Sequence, residues 1–140
     1  MRAMTFQVPI HTISEANCSE HWSKRHKRHV QQQLLVRMAY AKFCTETPLP
    51  CVVTLIRLSP RILDDDNLQM AFKYIRDELS ECIIPGARKT YIDGRGKVRN
   101  IKGRVDSDPR ITWRYEQRKS PIKGIEVMIE SREEDSTPQV

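Results

Sequence analysis

Residues 51–84, CVVTLIRLSPRILDDDNLQMAFKYIRDELSECII, decide the fold. Cys51 to Leu58 is β-branched and largely apolar, the composition of a strand. Leu68, Ala71, Phe72, Ile75, Leu79 and Cys82 then recur at steps of three and four, one face of a helix over about 66–82. Ile84-Pro85-Gly86 stops that helix. Between strand and helix stand Asp64, Asp65 and Asp66, three carboxylates in a row. Like charges so placed repel each other, and a basic chain gains little from them unless a cation binds there. That tension points to metal-dependent phosphodiester chemistry.

Working outward, Pro48 and Pro50 close the segment before the strand. A long helix is expected from about residue 19 to 45, with Ser19 as its N-cap. Its first half, from Glu20 to His29, is strongly basic. Its second half sets Val30, Leu34, Leu35, Met38, Tyr40, Ala41 and Phe43 near helical spacing, the expected core-facing side. Met4 to Ile10 alternates apolar and polar residues, a short opening strand stopped near Pro9. On the other side, residues 85–107 read as the longest irregular stretch, with Gly94-Arg95-Gly96 as loop or hairpin tip. Loops of such length are usually functional or mobile. Ile111 to Gln117 and Gly124 to Ile129 alternate around Ser120-Pro121 and read as an antiparallel hairpin.

The expected architecture is an α+β domain: a mixed, mainly antiparallel sheet of about four strands with two main helices packed on it. Residues 1–131 form that single domain, and 132–140 form a disordered acidic tail. At 140 residues the chain can bury a real core.

Lys and Arg number 24 against 18 Asp and Glu, a net charge of +6. The segment from Glu130 to Val140 holds four acids and one base, so the rest of the chain carries more positive charge than the whole. Such an excess favours a polyanion, most often nucleic acid, although a merely soluble basic domain has the same signature. Cys18, Cys44, Cys51 and Cys82 make no CxxC pair and no Cys/His ligand spacing, which argues against structural zinc. The sequence has no signal peptide and no apolar run of membrane-spanning length, so a cytosolic location with reduced thiols and no membrane partner is expected. Cys51 and Cys82 read as small buried apolar residues. No strand leads into Gly94-Arg95-Gly96 and no GK[ST] follows, so no nucleotide cofactor is expected.

In an extended segment Asp64 and Asp66 point to one side and Asp65 to the other. Mg²⁺ takes one or two carboxylates with waters and substrate phosphate oxygens, which suits Asp64 and Asp66. Ordinary capping, with Asp66 as N-cap, accounts for one of the three acids. Asp106-Ser107-Asp108-Pro109 is a second acidic point. It is a turn signature by itself, and a third ligand only if the Ile111 strand neighbours the Leu55 strand. Lys73, seven residues after Asp66, falls on the same helix face and could steady a scissile phosphate or pair with Asp77. Lys24, Arg25, Lys27 and Arg28 in the first helix, and Arg88, Lys89, Arg95, Lys97, Arg99, Lys102 and Arg104 in the long loop, are the expected phosphate contacts. Trp22 is expected to pack on the sheet rather than stack on a base. His21, His26 and His29 read as part of a solvated basic face.

Together these residues resemble the RusA-type Holliday-junction resolvases, in particular the phage-type branch. The likeness is carried by Asp64-Asp65-Asp66-Asn67-Leu68 and the pattern continuing through Ala71-Phe72-Lys73 to Arg76-Asp77. It extends to Asp108-Pro109-Arg110-Ile111-Thr112-Trp113 and to Glu20-His21-Trp22-Ser23-Lys24-Arg25, covering most of residues 4–130. The resemblance implies a RusA-like fold and a homodimeric crossover junction endodeoxyribonuclease, dependent on Mg²⁺ or Mn²⁺. Such an enzyme nicks two opposed strands of a four-way DNA junction during recombination and repair, in the cytoplasm of a bacterial or phage-infected cell. It implies Asp64, Asp66 and Asp108 as catalytic carboxylates and metal ligands. The family pattern places a Lys four residues after the second Asp; here that residue is Met70, and Lys73 is expected to take the catalytic role. Two other readings stand beside this one: a DNA-binding protein that keeps the fold without cleaving, and a metal-dependent nuclease without junction preference.

Overall fold

The computed structural model describes residues 3–13, 21–44, 47, 49–84, 90–92, 94–100 and 109–132. Along the chain these form β1 (Ala3–Val8), α1 (Trp22–Phe43), β2 (Cys51–Ser59), α2 (Asp65–Ala71), α3 (Lys73–Ile83), β3 (Thr90–Ile92), β4 (Val98–Asn100), β5 (Ile111–Lys119) and β6 (Gly124–Ser131). The fold is α+β. Its main sheet is four-stranded and mixed, in the order β1-β6-β2-β5, with β2 and β5 parallel and the other pairs antiparallel. Among the described residues no helix is long and apolar enough to cross a membrane.

β2 is central because nearly all of it is buried, on both faces. Such a strand needs a ladder on each side, whereas an alternating strand can leave one face to water. That requirement corrects the hairpin expected of the last two strands. β5 and β6 run in opposite senses but do not pair; β2 lies between them, with Leu55 opposite Tyr115 on one side and Val127 on the other. The connection passes over the end of β2, where the Ser120 amide donates to the Ser59 carbonyl at 3.0 Å. Two strand spacings come to roughly 10 Å, which a four-residue connection spans easily.

The core lies between one face of this sheet and the helices. Phe6, Val53, Leu55, Ile125, Val127 and Ile129 meet Val36 of α1, Phe72 between α2 and α3, and Ile75 and Leu79 of α3. The helix expected over 66–82 is divided at Phe72 (φ −97°, ψ 0°), whose amide bonds back to Gln69 at 3.1 Å in a tighter, 3₁₀-like closure. Phe72 is fully buried, its ring 6.1 Å from that of Tyr115. Tertiary packing of this one side chain is the physical reason for the break.

α1 also differs from expectation. Its N-cap among the described residues is His21, whose Nδ1 accepts from the Ser23 amide at 3.3 Å; Ser19 lies outside the described residues. The buried stripe is His29, Gln32 and Val36, whereas Val30, Leu34, Met38 and Phe43 are exposed. The helix meets α3 and β1 along a narrow line. His29 stacks on Tyr74 with ring centroids 3.5 Å apart, and Arg37 pairs with Glu78 at 3.2 Å. An apolar arc wider than that line is left facing outward. Trp22, expected to pack on the sheet, is 72% exposed.

The stretch expected to be irregular contains the hairpin β3–β4, with Tyr91 opposite Arg99. Gly96 in its turn has φ +77°, the left-handed region that glycine enters without a Cβ penalty. Cys44 and Cys51 are buried. Cys82 is half-buried, its thiol 3.9 Å from a Glu78 oxygen, and burial with the neighbouring carboxylate pushes its pKa up to about 12. Cys18 and the tail from residue 133 onward lie outside the described residues.

Candidate active site

After Ser59 the chain turns back over β5, and the residue that fixes the return is Gln117. Its Oε1 accepts from the Leu63 amide at 2.9 Å and its Nε2 donates to the Leu63 carbonyl at 2.6 Å. A side-chain amide thus copies the two bonds of a strand pair and holds the residue immediately before Asp64. Asp64 is the N-cap of α2, in extended conformation (φ −70°, ψ 167°). Its Oδ1 accepts from the main-chain amide and from the side-chain Nδ2 of Asn67, each at 2.9 Å.

This corrects two expectations. The cap is Asp64 rather than Asp66. Asp65 and Asp66 occupy the first helical turn, where successive side chains differ by about 100°, so the alternation that set Asp64 with Asp66 against Asp65 does not hold. All three carboxylates are exposed. They sit at the positive end of a helix, and only one oxygen of the three groups serves the cap. The donor set is all carboxylate oxygen, the chemistry that a hard divalent cation such as Mg²⁺ takes. Among the described residues no three or more His, Cys, Asp or Glu side chains stand together as a group that could hold a metal ion.

Asp65 lines a cleft of about 420 Å³ between α2 and the edge strand β5, with Leu68, Gln69 and the run Trp113–Glu116. Arg76 of α3 holds two of these residues: its Nη1 donates to the Tyr115 hydroxyl at 2.5 Å, and its guanidinium lies 4.9 Å from the Trp113 ring centroid. The edge strand alternates Trp113 and Tyr115 with Arg114, Glu116 and Arg118. Charges of that kind on an edge oppose pairing with another strand. Gln117 and Tyr115 carry no motif in the sequence, and Arg76 stands there only within the pattern that carries the resemblance. The faint signal was the glutamine at an inward position of an alternating strand.

The condition placed on Asp108, that the Ile111 strand neighbour the Leu55 strand, is met. β5 does neighbour β2, in parallel, with Cys51 opposite Ile111. Pro109 and Arg110 therefore stand at the Cys51 end, where the Cys51 amide donates to the Arg110 carbonyl at 2.9 Å. Leu63 is tied to Gln117, six residues or roughly 20 Å further along β5. α2 then returns over Trp113–Glu116. Asp108 itself lies outside the described residues.

Lys73 begins α3, beyond the break at Phe72, so counting two turns from Asp66 along one continuous helix does not apply. It is exposed, with Nζ 5.5 Å from the Tyr74 ring centroid. Met70, at the position where the family pattern has Lys, is exposed on α2.

Of the expected phosphate contacts, Lys24 and Lys27 are exposed on α1 and Arg25 and Arg28 are half-buried there. Arg95 and Lys97 are exposed in the β3–β4 turn, and Arg99 lies in β4. Arg88, Lys89, Lys102 and Arg104 lie outside the described residues. No family model, no curated protein and no solved structure matches this chain.

Proposed function

We propose that this protein is a metal-dependent endonuclease acting on four-way DNA junctions. The observation that carries the reading is the row of three exposed carboxylates opening α2 in a chain of net charge +6. A DNA-binding surface does not benefit from such a row unless a cation offsets it. Asp64 and Asp66 are assigned as ligands, with Asp108 as third acid and Lys73 as the cation facing the phosphate, on the resemblance alone. A helical turn sets Asp66 about 200° from Asp64, Pro109 beside Asp108 stands at the opposite end of β5 from Gln117, and Lys73 lies beyond the break at Phe72. Mg²⁺ or Mn²⁺ would supply charge neutralisation at the scissile phosphate and an activated water.

The chain's own residues do the rest. Gln117 fixes Leu63 and hence the angle at which Asp64 enters the helix. Asn67 orients the Asp64 carboxylate by taking one oxygen and leaving the other. Lys24 and Lys27 hold the DNA backbone, and Trp22, exposed beside them, offers an indole face to an unpaired base. The outward stripe of Val30, Leu34 and Met38 on α1 suits a second copy related by a two-fold axis. Such a pairing would present two sites to two opposed strands.

The test is a gel assay comparing a four-way junction, a duplex and a single strand, each with and without Mg²⁺. Paired nicks in the junction alone, only with metal, are expected. Cleavage of all three substrates favours a nuclease without junction preference, and junction binding without cleavage favours a non-catalytic binder.

A further inference from the structure

A second cavity, of about 280 Å³, opens where the chain leaving β1 passes α1; Ile10, His11 and Ile13 line one wall, and Arg28, Gln32 and Leu35 the other. The loop wall is fixed from beneath. Arg57 of β2, 5% exposed, donates from Nε to the Thr12 hydroxyl at 2.9 Å and from Nη2 to the Thr12 carbonyl at 3.4 Å. On the helix wall Gln32 is 4% exposed, and among the described residues neither its Nε2 nor its Oε1, both buried, has a hydrogen-bond partner. A buried amide with neither group paired destabilises a fold unless something arrives to pair it.

Three features describe what would fit. An amide presents one donor beside one acceptor, the pattern that the edge of a nucleobase complements. Ile10, Ile13 and Leu35 supply apolar walls for the faces of a ring. The volume falls just below the range of about 300–1,000 Å³ typical of pockets for larger ligands, which suits a single ring system. Lys24, Arg28, Gln32 and Leu35 follow at steps of four, four and three along α1, so cations lead to the amide along one helix face. His11 adds a ring that burial, then Lys123 and Arg57, keep towards the neutral form.

We propose that this cavity receives one unstacked nucleobase of the DNA substrate, read by the Gln32 amide with its phosphate on the Arg28 side. The proposal rests on the DNA-binding reading above and adds to it a base-reading pocket away from the carboxylates. A junction strained open at its crossover offers such a base at less cost than an intact duplex.

The experiment uses the full chain and a four-way junction carrying 2-aminopurine at the crossover, without divalent metal. Its fluorescence rises when the base leaves the stack. The wild-type protein is expected to produce that rise. Gln32→Leu is expected to lose it while keeping most of its junction affinity, which phosphate contacts carry. Its melting temperature should stay at or above that of wild type, because an unpaired buried amide has been removed. Ile13→Phe, which narrows the cavity from the loop side, should also lose the rise and serves should Gln32→Leu fail to fold. A rise that persists in either folded variant overturns the proposal. So does a lowered melting temperature of Gln32→Leu with unchanged fluorescence, which marks an amide paired by water alone. Junction binding by wild type with no rise overturns the pocket and leaves the DNA reading intact, whereas no junction binding at all overturns both.

Discussion

Asp64 is asked to do two things, and they can be separated. As N-cap it accepts from the Asn67 amide, one of the helix amides that would otherwise lack a partner. It also accepts from the Asn67 side chain, but that group is near water and loses little when released. The structural part of its role is therefore one capping bond, worth about 1 kcal/mol. In a domain of this size that corresponds to roughly 3–4 °C in melting temperature. Asp64→Ala should show that loss in a thermal scan. Asp64→Asn keeps an acceptor oxygen at the same place, and Asp64→Ser keeps a hydroxyl cap, so both should melt within about 0.5 kcal/mol of wild type. The catalytic part is the negative charge, which all three variants lack. Each should reduce Mg²⁺-dependent junction cleavage to background while binding the junction as tightly as wild type or more so. Wild-type cleavage by Asp64→Asn and Asp64→Ser would refute the ligand role. An unchanged melting temperature in Asp64→Ala would refute the cap.

Other outcomes follow from neighbouring features. Gln117→Ala leaves the Leu63 amide and carbonyl without their partner and should cost about 1–2 kcal/mol. Cleavage should fall further than junction binding, and equal losses of the two in a titration would show no positioning role. Phe72→Ala empties a fully buried site between α2, α3 and β5 and should cost about 3–5 kcal/mol in urea unfolding; a loss below about 1 kcal/mol would mean that Phe72 does not anchor the helix break. Lys24→Gln and Lys27→Gln should each reduce the slope of log affinity against log salt by about 0.9, read by fluorescence anisotropy, whereas an unchanged slope removes α1 from the DNA contact. His11 has its pKa lowered from 6.5 by burial, then by Lys123 and Arg57. The unfolded chain thus takes up the proton first, and this contribution to stability is lost as pH falls through about 6.5 towards the folded value. The urea midpoint should fall less on acidification in His11→Gln, and identical pH profiles would refute it.

Local pattern made the principal elements legible. Apolar steps of three and four marked a single helix where α2 and α3 stand, the β-branched run marked β2, and alternation marked β5 and β6. The acidic row at the opening of a helix needed no coordinates either, because charge density is a property of the chain. Pairing was not legible, because it depends on which strand needs two neighbours. β2, buried on both faces, takes the place between β5 and β6 that a sequential hairpin would have closed. Nor could periodicity tell which part of a wide apolar arc on α1 would be covered: Val36 faces the core, Val30 and Leu34 face outward.

The sequence by itself determined an α+β domain and the location of the carboxylate row, since local periodicity and charge density are written residue by residue. Only the tertiary structure decided that Asp64 rather than Asp66 caps the helix, that Lys73 lies beyond a break at Phe72, and that Gln117 holds the turn before the acids. Those outcomes depend on contacts between residues far apart in the chain, such as Gln117 with Leu63 and Phe72 with Tyr115, which no local pattern encodes.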